Sequence, residues 1–193
     1  MLTSSVLDRL LSQIDCCPWG TTAGRAARRQ PTPLYTEAER LRRDASPWTL
    51  VQGVLAPLQF AVFLVSLGLV VRFLLTGEGL ALATASVVAK TLVLYAIMVT
   101  GSIWEKEVFG KYLFARPFFW EDVFSMLVLA LHTLYLAALL LGLGDGQAQM
   151  TIALAAYAAY VINAGQFVLK LRAARLEGAR VQARLRTPRG ATG

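Results

Sequence analysis

The chain has 193 residues, of which 56% are hydrophobic and only 16% charged. An average soluble domain carries roughly 25% charged residues, and a core of this size has no way to hide so much apolar surface; mean hydropathy is +0.53. Disorder is excluded for most of the length, because low hydrophobicity is its signature, and nothing supports a repeat array, a collagen or a disulfide scaffold. The net charge of +7 would point a soluble protein toward nucleic acid, but seven Lys/Arg lie before Trp48 and seven from Lys170 onward. Basic flanks on an apolar chain are a topology signal first, so a lipid bilayer is expected as partner and nucleic acid is not.

Residues 1–33 are polar and Arg-rich and end in Gln30-Pro31-Thr32-Pro33; they read as a mobile extension. No secretory signal is expected, since Asp8 and Arg9 break Leu2–Ile14 before an apolar core develops. The adjacent Cys16 and Cys17 suit neither a good disulfide nor a zinc site and read as incidental. Leu34–Asp44 predicts a short amphipathic helix, capped by Thr36 with Glu39 in capping-box register.

Four segments are long enough to cross a bilayer, which takes about 20 apolar residues: Leu50–Leu75, Leu80–Ile103, Val123–Gly144 and Gln147–Leu169. Tight turns at Thr76–Gly79 and Asp145-Gly146 separate the first from the second and the third from the fourth. Trp104–Asp122 is a middle loop rich in charges and aromatics. The expected fold is an all-α integral membrane protein: a four-transmembrane-helix bundle over residues 34–176, an N-terminal amphipathic helix, and a basic tail over 177–193. The middle loop holds Lys106, Lys111 and Arg116, whereas the turns add no cation apart from Arg72 at a helix end. The positive-inside rule then places both termini and the middle loop in the cytoplasm.

Polar groups within spans are costly and each needs a reason. Lys90 sits near the middle of the second span, as a charge in a pocket, a partner in the bundle, or a snorkelling side chain. His132, the single histidine, lies roughly 14 Å into the third span at 1.5 Å per residue. It suits either a buried hydrogen-bonded imidazole or a ligand to the magnesium of a chlorin or to a haem iron. Glu121, Ser125, Val128 and His132 recur on one helix face, continued by Tyr135; Glu121 and His132 are about 16 Å apart along the axis, too far for a dyad but within reach of one large ligand. Gln52, Gln59 and Ser66 form a heptad stripe, and Asn163, Gln166 and Lys170 share a face; such stripes serve interhelical hydrogen bonding more often than catalysis.

The middle loop brings four carboxyls, Glu105, Glu107, Glu121 and Asp122, among many aromatics. This is an aromatic belt with helix-end charges, or a set of carboxyls against aromatic walls, which favour the protonated form. Glu121 and Asp122 start a helix, where the dipole favours the anion, whereas Glu105 ends one, where an anion is misplaced. Glu105 is therefore the better candidate acid.

The run Tyr95–His132, YAIMVTGSIWEKEVFGKYLFARPFFWEDVFSMLVLALH, closely resembles the 3-vinyl (also 2-vinyl) bacteriochlorophyllide hydratase family of phototrophic bacteria, as do Ala45–Gln59 and Tyr157–Leu176. The likeness covers roughly Leu34–Leu176. It implies addition of water across the C3-vinyl group of a chlorophyllide-type tetrapyrrole, giving a 1-hydroxyethyl group on the way to bacteriochlorophyll a, in the bacterial inner (intracytoplasmic) membrane, with other enzymes of the pathway as candidate partners. Residue roles come from the chemistry instead. A general acid protonates the terminal vinyl carbon, negative charge stabilises the cation beside it, and water adds. Glu105 is expected as the acid, and Glu121 or Asp122 to orient water. His132 is expected to ligate the substrate's magnesium or position the ring, and Lys90 or Lys106 to hold the propionate. Trp104 and Trp120 are expected as walls, with Tyr95, Asn163 and Gln166 as further substrate contacts. No cofactor is expected beyond the magnesium the chlorin carries. Two other readings compete: a pigment-binding or assembly protein without turnover, and a small transporter using Lys90 and His132 as a proton relay.

Overall fold

A computed structural model describes residues 34–186, with side chains as far as Lys170 and at Arg172; the expected mobile extension, its two cysteines and the last seven residues lie outside the described part. Every regular element in it is helical: α1 (Glu37–Ala45), α2 (Pro47–Thr76), α3 (Leu80–Phe109), a 3-10 turn (Arg116–Phe118), α4 (Phe119–Leu140) and α5 (Gly146–Arg186). Four of these helices are long and apolar enough to cross a membrane. Tyr35–Gly165 forms one compact unit, and Leu34 together with the residues from Gln166 onward belongs to another.

The helix ends follow local chemistry. Thr36 and Glu39 bond each other's backbone amides at the start of α1, at 3.3 and 2.7 Å, as the capping-box register required. Pro47 opens α2, where its missing N–H costs nothing. The carboxyl of Asp145 accepts from the Ala148 amide at 2.8 Å at the start of α5. The middle loop is shorter than the charge pattern suggested. Charged residues do not end a helix, so α3 runs through Lys106 and Glu107 until Gly110, at φ +80°, turns the chain into the left-handed region. At its far side Pro117 sits in the 3-10 turn that leads into α4. In the same way α4 ends at Leu140, before Gly142 and Gly144 at φ +63° and +71°.

Phe63, Val70 and Phe73 of α2, Val87 and Leu94 of α3, Val128 and Tyr135 of α4, and Met150, Ala153 and Tyr157 of α5 form the apolar centre. The small residues Ala153 and Ala156 are fully buried, which lets helix backbones approach closely in a setting without hydrophobic driving force. Two members of the α2 heptad stripe bond across helices. Gln52 donates to the Thr100 hydroxyl at 2.7 Å, and Ser66 shares hydrogen bonds with Ser86 and Tyr157 at 2.7 and 2.6 Å.

Candidate active site

The α3–α4 connection folds a carboxyl cluster into the end of the bundle. Glu105, in the last two turns of α3, and Glu121 and Asp122, in the first turn of α4, are all buried. The Glu105 side chain lies within hydrogen-bonding reach of that of Asp122 and within electrostatic reach of Glu121. Two carboxyls can hydrogen-bond only if one of them carries a proton. Two backbone amides of the connecting loop hold the pair: Phe114 N–H donates to Asp122 Oδ2 at 2.6 Å, and Ala115 N–H donates to Glu105 Oε2 at 3.3 Å. The first of these comes from a residue at φ +59°, a left-handed conformation that a bulky side chain rarely takes.

Aromatic rings close this end. The Trp104 ring meets Phe109 and Phe118 edge-on, each with centroids 5.8 Å away, and Tyr35 stacks on Phe109 at the same distance. The Trp104 indole N–H is used by the Thr49 hydroxyl at 2.9 Å. Trp120 is half-buried, packs edge-on against Phe119, and has a buried Nε1 with no acceptor among the described residues. Burial of Tyr35 pushes its phenol above the usual value, against the pull of the Arg43 guanidinium 4.7 Å from its ring.

The face expected along α4 forms: Glu121, Ser125, Val128, His132 and Tyr135 are all buried. Ser125 accepts from the Asn163 amide at 2.9 Å, one turn from Glu121. Gln166 lies three residues further along α5, in the second unit.

Lys90 and His132 occupy a separate, deeper place, both wholly shielded from the surface. The His132 Nδ1 lies 2.8 Å from the Val128 carbonyl. A carbonyl only accepts, so Nδ1 carries the hydrogen, and in the neutral ring Nε2 keeps its lone pair; Nε2 is buried with no partner among the described residues. The His132 ring packs on Tyr157 at 5.8 Å, and the Lys90 ammonium lies 4.0 Å from the centre of the Tyr160 ring. Lys106 points elsewhere: it is exposed and donates to the Gly110 carbonyl at the end of its own helix, at 3.0 Å. Tyr95 bonds Thr133 at 2.8 Å and lines, with Met98, Val99 and Leu129, an apolar groove of about 240 Å³ between α3 and α4.

Sequence reasoning did not find the Phe114 and Ala115 amides, since backbone donors have no residue code, or the partnership of Tyr157 and Tyr160 with His132 and Lys90. Two tyrosines three positions apart in an Ala-rich span were the available signal for the latter.

Comparison with known proteins gives the family of the chain. A sequence model of the family described as 2-vinyl bacteriochlorophyllide hydratase (BCHF) matches residues 35–173. The chain belongs to that family. A 2-vinyl bacteriochlorophyllide hydratase of Rhodobacter capsulatus is 70% identical over 146 residues, 76% of this chain and 85% of the relative. One of Cereibacter sphaeroides is 69% identical over 144 residues, 75% and 89% of the two chains. No solved structure matches. The family core thus begins where the described fold begins and contains the carboxyl cluster, Lys90 and His132.

Proposed function

We propose that this membrane protein adds water to the vinyl group of a bacteriochlorophyllide-type tetrapyrrole, with Glu105 as the proton donor. The observation that supports the mechanism is the closeness of Glu105 to Asp122, which lets two buried carboxyls share one proton. Three features favour Glu105 as its resting place. Asp122 lies in the first turn of α4, where the helix dipole favours an anion, and accepts the shorter amide bond; Glu105 lies near the C-terminal end of α3, where an anion is disfavoured.

Glu105 gives its proton to the terminal vinyl carbon, which becomes a methyl group, and the adjacent carbon becomes a cation conjugated with the macrocycle. The carboxylates of Asp122 and Glu121 stabilise that charge in a site shielded from bulk water. A water oxygen bonds to the cation, and its surplus proton passes to Asp122. The Glu105–Asp122 hydrogen bond then returns a proton to Glu105, so that atoms and charges balance over the cycle. No electrons are transferred, and the reaction so written calls on no cofactor.

The free Nε2 lone pair of His132, with Nδ1 tied to a backbone carbonyl, suits axial ligation of the magnesium that the substrate carries. Lys90 or Lys106 holds the propionate, and Trp104, Trp120, Tyr95 and Asn163 serve as further contacts. The carboxyl end of the compact unit also gathers Arg40, Arg42, Arg43, Lys106, Lys111 and Arg116, with Ser46 bonded to Glu107 at 2.6 Å across α2 and α3. The positive-inside rule puts this end in the cytoplasm of a bacterial inner membrane, where other enzymes of the pathway could pass on so insoluble a pigment.

Membranes of a pigment-free host expressing the chain, given 3-vinyl chlorophyllide a in the dark, test the reading. The pigment is expected to gain the mass of one water with a blue shift of its long-wavelength band. Bound but unaltered pigment, with the protein shown to be folded, would replace the hydratase by a pigment-binding protein.

A further inference from the structure

Asn163 of α5 donates from its amide to the Ser125 hydroxyl of α4 at 2.9 Å, and both side chains are more than nine-tenths buried. The other end of the same amide, Oδ1, is shielded from the surface and has no partner among the described residues. Turning the amide over does not remove the need, because one of its two polar atoms would still face the interior unpaired. An apolar side chain would join the two helices without that cost, so the amide calls for a polar occupant. Ser125 is the acceptor of the Asn163 bond and keeps its own hydrogen to donate. An acceptor on one helix and a donor on the next suit a single water molecule, since a buried water makes about three hydrogen bonds.

The place of this pair is set by α4. Ser125 follows Glu121 by four residues and Asp122 by three, about 6 and 4.5 Å along the axis at 1.5 Å per residue. Side chains so spaced are neighbours on a helix surface, and the Cα–Cβ bond of Ser125 tilts toward the helix N-terminus, where the two acids lie. We propose that Asn163 and Ser125 hold the water that adds to the pigment, and thereby decide between hydration and return to the vinyl group. The cation formed by proton transfer from Glu105 has two exits. The Glu105 carboxylate takes a proton back from the new methyl group, which restores the vinyl group and the acid. Alternatively, a water oxygen bonds to the cationic carbon and its surplus proton passes to Asp122. Asn163 Oδ1 accepts one hydrogen of that water and Ser125 donates to its oxygen, which leaves the second hydrogen for Asp122 and one lone pair for carbon. A water held in this way speeds the second exit alone, because it arrives already oriented. This inference rests on the hydratase reading.

The test follows both exits at once, in membranes that carry the full chain and are given 3-vinyl chlorophyllide a in D2O. Return of the cation leaves deuterium on the terminal carbon of the remaining vinyl pigment, whereas hydration adds one water; mass spectrometry of one sample reads the two initial rates. The wild-type protein is expected to hydrate with little deuterium in the remaining vinyl pigment. Asn163→Leu should hydrate about 10- to 100-fold more slowly, the size of effect of a misplaced reactant. Deuterium should go on entering its vinyl pigment, so the ratio of exchange to hydration rises by the same factor. Ser125→Ala should move the ratio the same way by a smaller factor, and Glu105→Gln should lower both rates without raising it. A general loss of structure lowers both exits together, so the ratio is the informative reading. Where Asn163→Leu does not fold, Ser125→Ala carries the test. An unchanged ratio in the variant, with the wild type adding water, overturns the inference and leaves the hydratase reading standing. A folded wild-type protein that adds no water overturns the hydratase reading, and this inference with it.

Discussion

Replacing Glu105 by glutamine separates the chemistry of the carboxyl pair from its contribution to the fold. Glutamine has the same length and shape. Its NH2 group can donate to Asp122, and its carbonyl oxygen can accept the Ala115 amide that Glu105 accepts at 3.3 Å. Both contacts persist, so the stability change should stay within about 1 kcal/mol, the size of one net hydrogen bond. What glutamine cannot do is give up a proton to carbon. General acid catalysis contributes about 10²- to 10⁴-fold, which converts to about 3–5 kcal/mol of activation free energy. Glu105→Gln is therefore expected to lower kcat by that factor with KM and thermal midpoint little changed. The assay is the decay of the vinyl pigment band in membranes, with helicity monitored alongside. Wild-type turnover in the variant would remove Glu105 from the mechanism. A fall in rate matched by a fall in melting temperature would show instead that the pair serves the fold.

The other predictions concern the neighbours of that pair. Asp122→Asn keeps an acceptor for the Phe114 amide but breaks the proton return, so steady-state turnover should fall more than the first turnover in a rapid-mixing experiment; equal losses would refute the relay. His132→Ala removes the free lone pair. It should weaken binding of the magnesium pigment while leaving the magnesium-free pigment unaffected, and equal effects on both would rule out ligation. Gly110→Ala places a Cβ at φ +80° with no atom within 4 Å to clash. The cost is then purely conformational, about 1–2 kcal/mol, read as a lowered melting temperature, and an unchanged midpoint would mean that the loop relaxes out of the left-handed region.

Much of the bundle was legible because its burden is apolar and periodic. Spans appear as uninterrupted hydropathy, and the Glu121–Tyr135 face appears because a helix repeats every 3.6 residues whatever it packs against. The carboxyl cluster was legible only in composition. Glu105 precedes Asp122 by a stretch of chain whose charge suggested a loop, and their contact depends on where that loop stops being helix. Gly110 sets one limit and Pro117 marks the other, but the outcome, two loop amides clamping two acids, also requires Phe114 in a conformation its side chain does not announce. Lys90 presents the opposite case. Its depth could be counted from the sequence, yet its significance could not, because a lysine in a span reads equally as snorkelling, paired or free until its neighbours are known. The fold removes two of those choices: the side chain does not reach the surface, and no described acid meets it. Both places share one physical logic. Each keeps polar groups from water, carboxyls beside one another at one and a lysine against an aromatic face at the other. Keeping such groups from water is costly, so each place asks for a reason beyond packing.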